Sequence, residues 1–188
     1  MIPLTPPNRP AIGESAQEFF ASILRPDFTV FEWGSGGSTL WLAQRVAHVV
    51  TVENIPIWQL EVGRYAQQAG LDNIEYLLVC WEKGEPITDA LLDAYTETIL
   101  QFPPESFDLI FSDGWGEARR RCAPLADSRL KPGGWLVADD SGWNPVRTSI
   151  ARYVEAGWRD VRKSGVVTCA WDGLPRKNVT AFLQKPED

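Results

Sequence analysis

Several acids fall where apolar runs end, and the first of them stands directly before a cluster of glycines. The stretch Phe28-Thr-Val-Phe-Glu-Trp-Gly-Ser-Gly-Gly-Ser-Thr39 carries an apolar run into Glu32 and then into Gly34, Gly36 and Gly37. Glycines there let a backbone turn tightly and approach a ligand closely. A helix starting just after them adds free N–H groups and a positive dipole end, with Ser38 or Thr39 as its expected cap. A dinucleotide would use the same architecture, but its fingerprint wants Gly or Ala at the third small position, where Thr39 stands. Glu32 would repel a pyrophosphate and suit a ligand bearing an ammonium group, such as the methionine end of S-adenosylmethionine. The next apolar run, His48 to Glu53, ends in a second carboxylate. In doubly wound folds an acid about 20 residues past the glycines accepts hydrogen bonds from ribose hydroxyls. Ile55 follows closely, in reach of an adenine face.

The elements that must position these groups alternate along the chain. Strand-like runs cover Phe28–Trp33, His48–Glu53, Ile74–Val79, Phe107–Ser112 and Gly134–Asp139. Several are apolar at nearly every position, as strands buried on both faces are. Between them lies helical spacing: Trp58, Val62, Tyr65 and Ala66 after Pro56, and Val146, Ile150, Tyr153 and Val154 after Pro145. Glu14 to Leu24 reads as a leading helix, and Asp89 to Leu100 as another, capped by Thr88 and stopped by Pro103 and Pro104. The tail reads as two further strands, Arg159–Lys163 and Asn178–Gln184, joined by a loop holding Gly165, Trp171, Gly173 and Pro175. This alternation predicts an α/β fold. It would be a doubly wound, mostly parallel Rossmann-like sheet of about seven strands, with helices on both faces and an antiparallel C-terminal strand.

A chain of 188 residues favours one domain. Within it, residues 1–27 form an N-terminal helical segment, 28–141 a cofactor-binding core, and 142–188 a C-terminal helix and strand hairpin. The net charge of −7 argues against a nucleic-acid partner. The one strong basic run, Arg119 to Arg121, reads as a solvated helix face. Cys80, Cys122 and Cys169 have neither disulfide nor zinc spacing, and His48, the only histidine, sits in an apolar stretch that suits a core or strand-edge role. No apolar run approaches the roughly 20 residues of a membrane span, and Met1 to Pro10 does not read as a secretory signal. A cytoplasmic location is therefore expected, with a small-molecule acceptor, no membrane partner, and homo-oligomerisation left open.

Taken together, the motifs resemble those of class I methyltransferases. Glu32-Trp-Gly-Ser-Gly-Gly37 is similar to that family's acidic-x-Gly-x-Gly motif, and Thr51-Val-Glu53 to its second-strand acid. Phe107-Asp-Leu-Ile-Phe-Ser-Asp113 looks like its fourth-strand motif, and Leu130-Lys-Pro-Gly-Gly-Trp-Leu-Val-Ala-Asp139 like the turn entering its fifth strand. The nearest branch is the small-molecule O-methyltransferase-like one, some members of which have a Glu-x-x-x-x-Trp pattern like Glu53 to Trp58. The resemblance implies S-adenosylmethionine as cofactor. Glu32 and Gly34, Ser35, Gly36, Gly37 and Ser38 would hold its methionine end, and Glu53, with Asn54 and Ile55 beside it, its ribose and adenine. Cys80 and Trp81 would lie next to the adenine, and Asp113 would face the reactive side.

For the chemistry, the resemblance points to Asp113 and Asp139. Metal-dependent catechol-type O-methyltransferases hold a cation with an Asp after the fourth strand and an Asp-Asn pair after the fifth. Asp113, Asp139 and Asp140 are similar, which makes Mg²⁺ a candidate. The family's Asn is Asp140 here, and its lysine base is replaced by Gly116. Trp115, Trp143 and Trp171 fall in loops near the same edge, as walls for an aromatic or cationic acceptor. The place of the Asn/Asp-Pro-Pro-aromatic motif of base N-methyltransferases reads Ser112-Asp-Gly-Trp115, and Cys122-Ala-Pro124 has the wrong order for a cytosine C5 nucleophile. The remaining alternatives are an aminopropyltransferase-like enzyme, an NAD-dependent reductase, which Glu32 and Thr39 fit poorly, and a non-catalytic S-adenosylmethionine-binding module.

Overall fold

The computed structural model describes residues 9–80, 86–168 and 174–187. In chain order the elements are α1 (Glu14–Ile23), β1 (Thr29–Trp33), α2 (Gly37–Ala43), β2 (His48–Glu53), α3 (Pro56–Gln68), β3 (Ile74–Leu78), α4 (Asp89–Thr96), β4 (Phe107–Ser112), α5 (Gly116–Ala126), β5 (Leu130–Ala138), α6 (Asn144–Glu155), β6 (Arg159–Thr168) and β7 (Pro175–Gln184). The seven strands form one sheet in the order β3-β2-β1-β4-β5-β7-β6. Strands β1 to β5 pair in parallel, and β7 runs antiparallel to both β5 and β6. The chain reverses direction across the sheet between β1 and β4, so their carboxyl ends flank the switch point where doubly wound folds bind ligands.

Alternation along each strand decides which layer a side chain joins. Phe31 and Trp33 of β1, Val50 and Val52 of β2, and Ile110 of β4 pack against Leu92, Tyr95, Ala118, Cys122, Ile150 and Tyr153 of α4 to α6. Their neighbours Val30, Val49, Leu109 and Phe111 face the other way, against Ala16 and Phe20 of α1 and Trp41 and Leu42 of α2. Val62 and Ala66 of α3 complete that second layer with Leu40. Helices therefore cover both faces, as the unbroken apolar strands require.

The tail differs from its sequence-based reading. Both of its strands are 10 residues long, so Gly165 and Pro175 lie inside β6 and β7 instead of in the connecting loop. The partly exposed, charged alternation of β6 hid its length. Gly165 is needed where it stands, because a Cβ added there would sit 2.9 Å from the Gly13 Cα just ahead of α1. Ser15 closes the same contact by donating to the Ser164 carbonyl at 3.3 Å. Trp171 and Gly173 lie outside the described residues. Strand β5 also starts four residues earlier than expected: Leu130 pairs with Phe107, and a register shift follows before Leu109 meets Trp135. Thr88 caps α4 as expected, its hydroxyl accepting from Leu91 N. Neither Ser38 nor Thr39 is the cap of α2. Gly36 takes that position, and Thr39 in the first turn accepts from Gly36 N at 2.8 Å.

Candidate active site

The turn leaving β1 is the densest point of the site. Gly34 has φ +94°, in the left-handed region that glycine tolerates. Its N–H donates to Val52 O at 2.8 Å, and the Trp33 carbonyl accepts from Asp113 N at 3.2 Å and Gly114 N at 2.7 Å. The tip of β1 is thus clamped between the tips of β2 and β4. A crevice of about 520 Å³ opens over these tips, within the usual size of a small-molecule site.

On one wall stand Gly34, Ser35, Gly36, Gly37 and Ser38, together with Glu53, Asn54 and Ile55. Glu53 accepts four hydrogen bonds. One oxygen takes Ser35 N at 3.0 Å and Ser35 Oγ at 3.1 Å, and the other takes Asn54 N at 2.8 Å and Ile55 N at 2.9 Å. Burial raises its pKa, against the lowering effect of those same donors. Trp58 of α3 joins this wall and donates its indole N–H to the Ser35 carbonyl at 2.5 Å.

Glu32 is not on the crevice wall. It is fully buried beneath the glycine turn, on the α1–α2 face of β1. One oxygen accepts from Thr39 Oγ1 at 2.5 Å and Thr51 Oγ1 at 3.0 Å, while Oε1 has no partner among the described residues. Burial pushes its pKa up to about 8, only partly opposed by the Ser38, Thr39 and Thr51 hydroxyls, and the charge of Asp113 adds to the rise. Glu32 is then protonated in the fold and ionised in the unfolded chain from pH 4.5 up to about 8. Its contribution to stability falls as pH rises through that window, since the unfolded state binds fewer protons there. In chemical denaturation, raising the pH from about 5.5 to about 8 should therefore lower the parent's stability more than that of Glu32→Gln. Equal slopes for the two proteins would refute the protonated state.

The opposite wall belongs to β4, α5 and β5. Asp113, Asp139 and Asp140 converge there as expected, but they converge on Arg119. Its guanidinium donates to Asp113 Oδ1 at 2.6 Å, Asp140 Oδ2 at 2.5 Å and the Gly114 carbonyl at 3.0 Å, and lies 3.6 Å from Asp139 Oδ2. Burial works against the charge of Arg119, but the carboxylates of Asp113, Asp139 and Asp140 outweigh it and hold its pKa above the ordinary value. The Asp139 pKa is pushed up to about 7 by burial and by the nearby charge of Asp113, with Arg119 opposing. Asp113 is raised as well, mainly by burial.

The expected Mg²⁺ site is therefore corrected. A divalent ion would need the space between these carboxylates, and a guanidinium fills it. Among the described residues, no group of three or more His, Cys, Asp or Glu side chains is arranged to hold a metal. The Arg119–Arg121 run is corrected too, since only Arg120 faces solvent freely. Arg119 enters the acid cluster, and Arg121 reaches Asp89 and Asp93 of α4.

Other expected residues scatter. Cys80 is exposed beyond β3 and is not part of the crevice wall; Trp81 lies outside the described residues. Trp115 and Trp143 do border the crevice. His48 is a half-exposed strand-edge residue, 3.6 Å from Glu75. Besides Arg119, two residues of β7 escaped the sequence reading. Asn178 and Thr180 of β7 donate to Asp139 Oδ1 at 2.9 and 3.0 Å, and Asn178 also reaches Asp140 Oδ1 at 3.2 Å. The available signal was their spacing, since Asn178 and Thr180 stand two apart on the strand and so share one face.

The sheet order, the glycine turn at the switch point and the acids at neighbouring strand tips define the Rossmann-like methyltransferase fold. A methyltransferase-domain family model matches residues 31–141, and the chain belongs to that family. Among solved structures, the precorrin-6y C5,15-methyltransferase of Geobacter metallireducens is similar, with TM-score 0.62, 14% identity, and coverage of 95% of this chain and 99% of that one. Streptococcus mutans SMU.1697c, solved in complex with SAH, has TM-score 0.59 and 12% identity, with coverage of 91% and 96%. M. jannaschii TYW2, solved with AdoMet, has TM-score 0.57 and 12% identity, with coverage of 91% and 75%. At these identities the likeness is one of fold. A search of the curated proteins finds no match. No helix among the described residues is long and apolar enough to cross a membrane.

Proposed function

We propose that the protein methylates a hydroxyl group of a small molecule, using S-adenosylmethionine. The observation that carries this reading is a single crevice with two unlike walls. The glycine turn and Glu53 stand on one side, and Asp113 and Asp139 on the other. When bound, the cofactor supplies an electrophilic methyl group on a sulfonium.

The chain's residues fit that ligand. The turn from Gly34 to Ser38 offers close backbone approach to the methionine end, and the unpartnered oxygen of Glu32 lies just beneath that turn. Glu53, on the crevice wall, would hold the ribose. All four of its acceptor positions are filled in this structure, and the Ser35 hydroxyl is the one donor that can rotate away to admit a ribose hydroxyl. Asn54 and Ile55, on the same wall, would border the adenine. Across the crevice, Asn178 and Thr180 fix one oxygen of Asp139 and leave the other to take the acceptor's proton. A pKa near 7 suits that task at neutral pH. Asp113 stands beside it. The acidic net charge and acid-lined wall support a small acceptor over a polyanion.

Calorimetry with S-adenosylmethionine and its demethylated product tests the cofactor assignment, and micromolar-range binding is expected. Asp139→Asn should bind the product as the parent does while turnover falls by about 10²- to 10⁴-fold, the usual worth of a general base. The acid limb of the parent's pH–rate profile should lie near 7 and vanish in the variant. A parent that ignores both ligands would defeat the assignment. Product mass separates an added methyl from an added aminopropyl group.

A further inference from the structure

We infer that Arg119 is a built-in cation that takes the place of a divalent metal among Asp113, Asp139 and Asp140, and so positions these acids for metal-free chemistry. The inference deepens the acceptor side of the proposed function and rests on that reading for its catalytic meaning, but the occupancy of the cluster is measurable by itself.

Three observations converge on Arg119. The first is its geometry. A planar guanidinium presents N–H donors in a fixed fork, and here the fork spans acids from two strand ends: Asp113 after β4 and Asp140 after β5. Its Nε, bonded to the Gly114 carbonyl, fixes the plane. The second is its place in the chain. Arg119 lies in the first turn of α5, where a cation opposes the helix dipole, and its side chain is only 14% exposed. A solvated helix face explains neither. The third is Asp140, which holds φ +51° without being glycine. Asp is among the non-glycine residues that tolerate this region, and the turn brings its carboxylate to the Arg119 and Asn178 side chains.

A divalent ion binds through carboxylate oxygens and water at short range. It cannot share the cluster with a guanidinium already bonded to two of the three acids. Removing Arg119 leaves those acids converged and uncompensated, which is the starting point of a metal site.

The test is titration of the full chain with Mn²⁺, followed by the loss of its free-ion paramagnetic resonance signal. The parent should show no specific binding up to about 1 mM, and Arg119→Met should bind at least about tenfold more tightly. Arg119→Lys, which restores a positive charge, should stay as blind to the metal as the parent. If Arg119→Met is unfolded by itself, added Mn²⁺ or Mg²⁺ should restore a cooperative thermal transition, while neither ion should shift the parent's midpoint. The inference is overturned if the parent binds Mn²⁺ in a manner that Asp139→Asn abolishes. It is overturned equally if a folded Arg119→Met takes up no metal, or if an unfolded one gains nothing from either ion. Product binding by calorimetry on the same proteins keeps the questions apart. A parent that holds no cofactor sinks the proposed function, whereas the Mn²⁺ result alone decides the role of Arg119.

Discussion

Gly34→Ala is expected to abolish binding of the demethylated cofactor and to cost the fold at least about 3 kcal/mol, the range of severe single substitutions. Two costs add. Alanine at φ +94° is strained by about 1–2 kcal/mol. Its Cβ would also overlap the Gly114 Cα and lie 2.5 Å from Gly114 N, so that backbone must give way. Gly114 cannot yield, because its N–H is bonded to Trp33 O. It is itself hemmed in: a Cβ on Gly114 would overlap the Tyr95 hydroxyl and lie 2.9 Å from Gly34 N. Gly114→Ala should therefore fail in the same way. By contrast, Gly116→Ala, whose added Cβ meets nothing within 4 Å, should fold and bind like the parent. Thermal melts and calorimetry on the three variants check this, and a stable, ligand-binding Gly34→Ala would overturn it.

Glu53→Ala is expected to weaken binding of the demethylated cofactor by about 10- to 100-fold. A charge-assisted hydrogen bond to a ribose hydroxyl is worth about 1.5–3 kcal/mol, and the carboxylate can offer one where the Ser35 hydroxyl rotates away. The substitution also strips the acceptor from three backbone N–H groups, those of Ser35, Asn54 and Ile55. The glycine turn then keeps the Gly34–Val52 bond but loses its second tie to β2, so a drop in thermal midpoint should accompany the affinity loss. Ser35→Ala separates the two effects. It removes the donor that competes with ribose and keeps the backbone bond, so affinity should hold or rise slightly. A Glu53→Ala protein with near-parental affinity would remove this acid from the ribose site.

The crevice wall formed by the glycine turn and Glu53 was legible in the sequence because its signals are local. Glu32, the glycines and Glu53 lie on two neighbouring strands and the turn between them, and the spacing of a strand–turn–helix unit fixes where they meet. The succession of the first five strands along the chain followed from the apolar runs. What the sequence did not yield are contacts made by residues far apart in the chain. Asp139 and Thr180 are 41 positions apart, and their meeting depends on β7 entering the sheet antiparallel beside β5. Arg119 was misread because a run of three arginines looks like solvent-facing charge. Only the packing of α5 against the tips of β4 and β5 shows that the first of the three turns inward. The depth of Glu32 was hidden for a related reason. The alternation of β1 decides its face, but which helix covers that face is a property of the assembled layers.

The seal between α1 and β6 bears on how molecules of this protein meet one another. β6 is the last strand of the sheet on its side, and an unpartnered strand margin is a template for pairing with another chain. Here Gly13 presses against Gly165, Ser15 holds a backbone oxygen, and Arg159, Asp160, Arg162 and Lys163 string charge along the strand. An incoming strand would have to dislodge the helix and bury those charges. The N-terminal helix thus guards against edge-to-edge aggregation as well as contributing to the core.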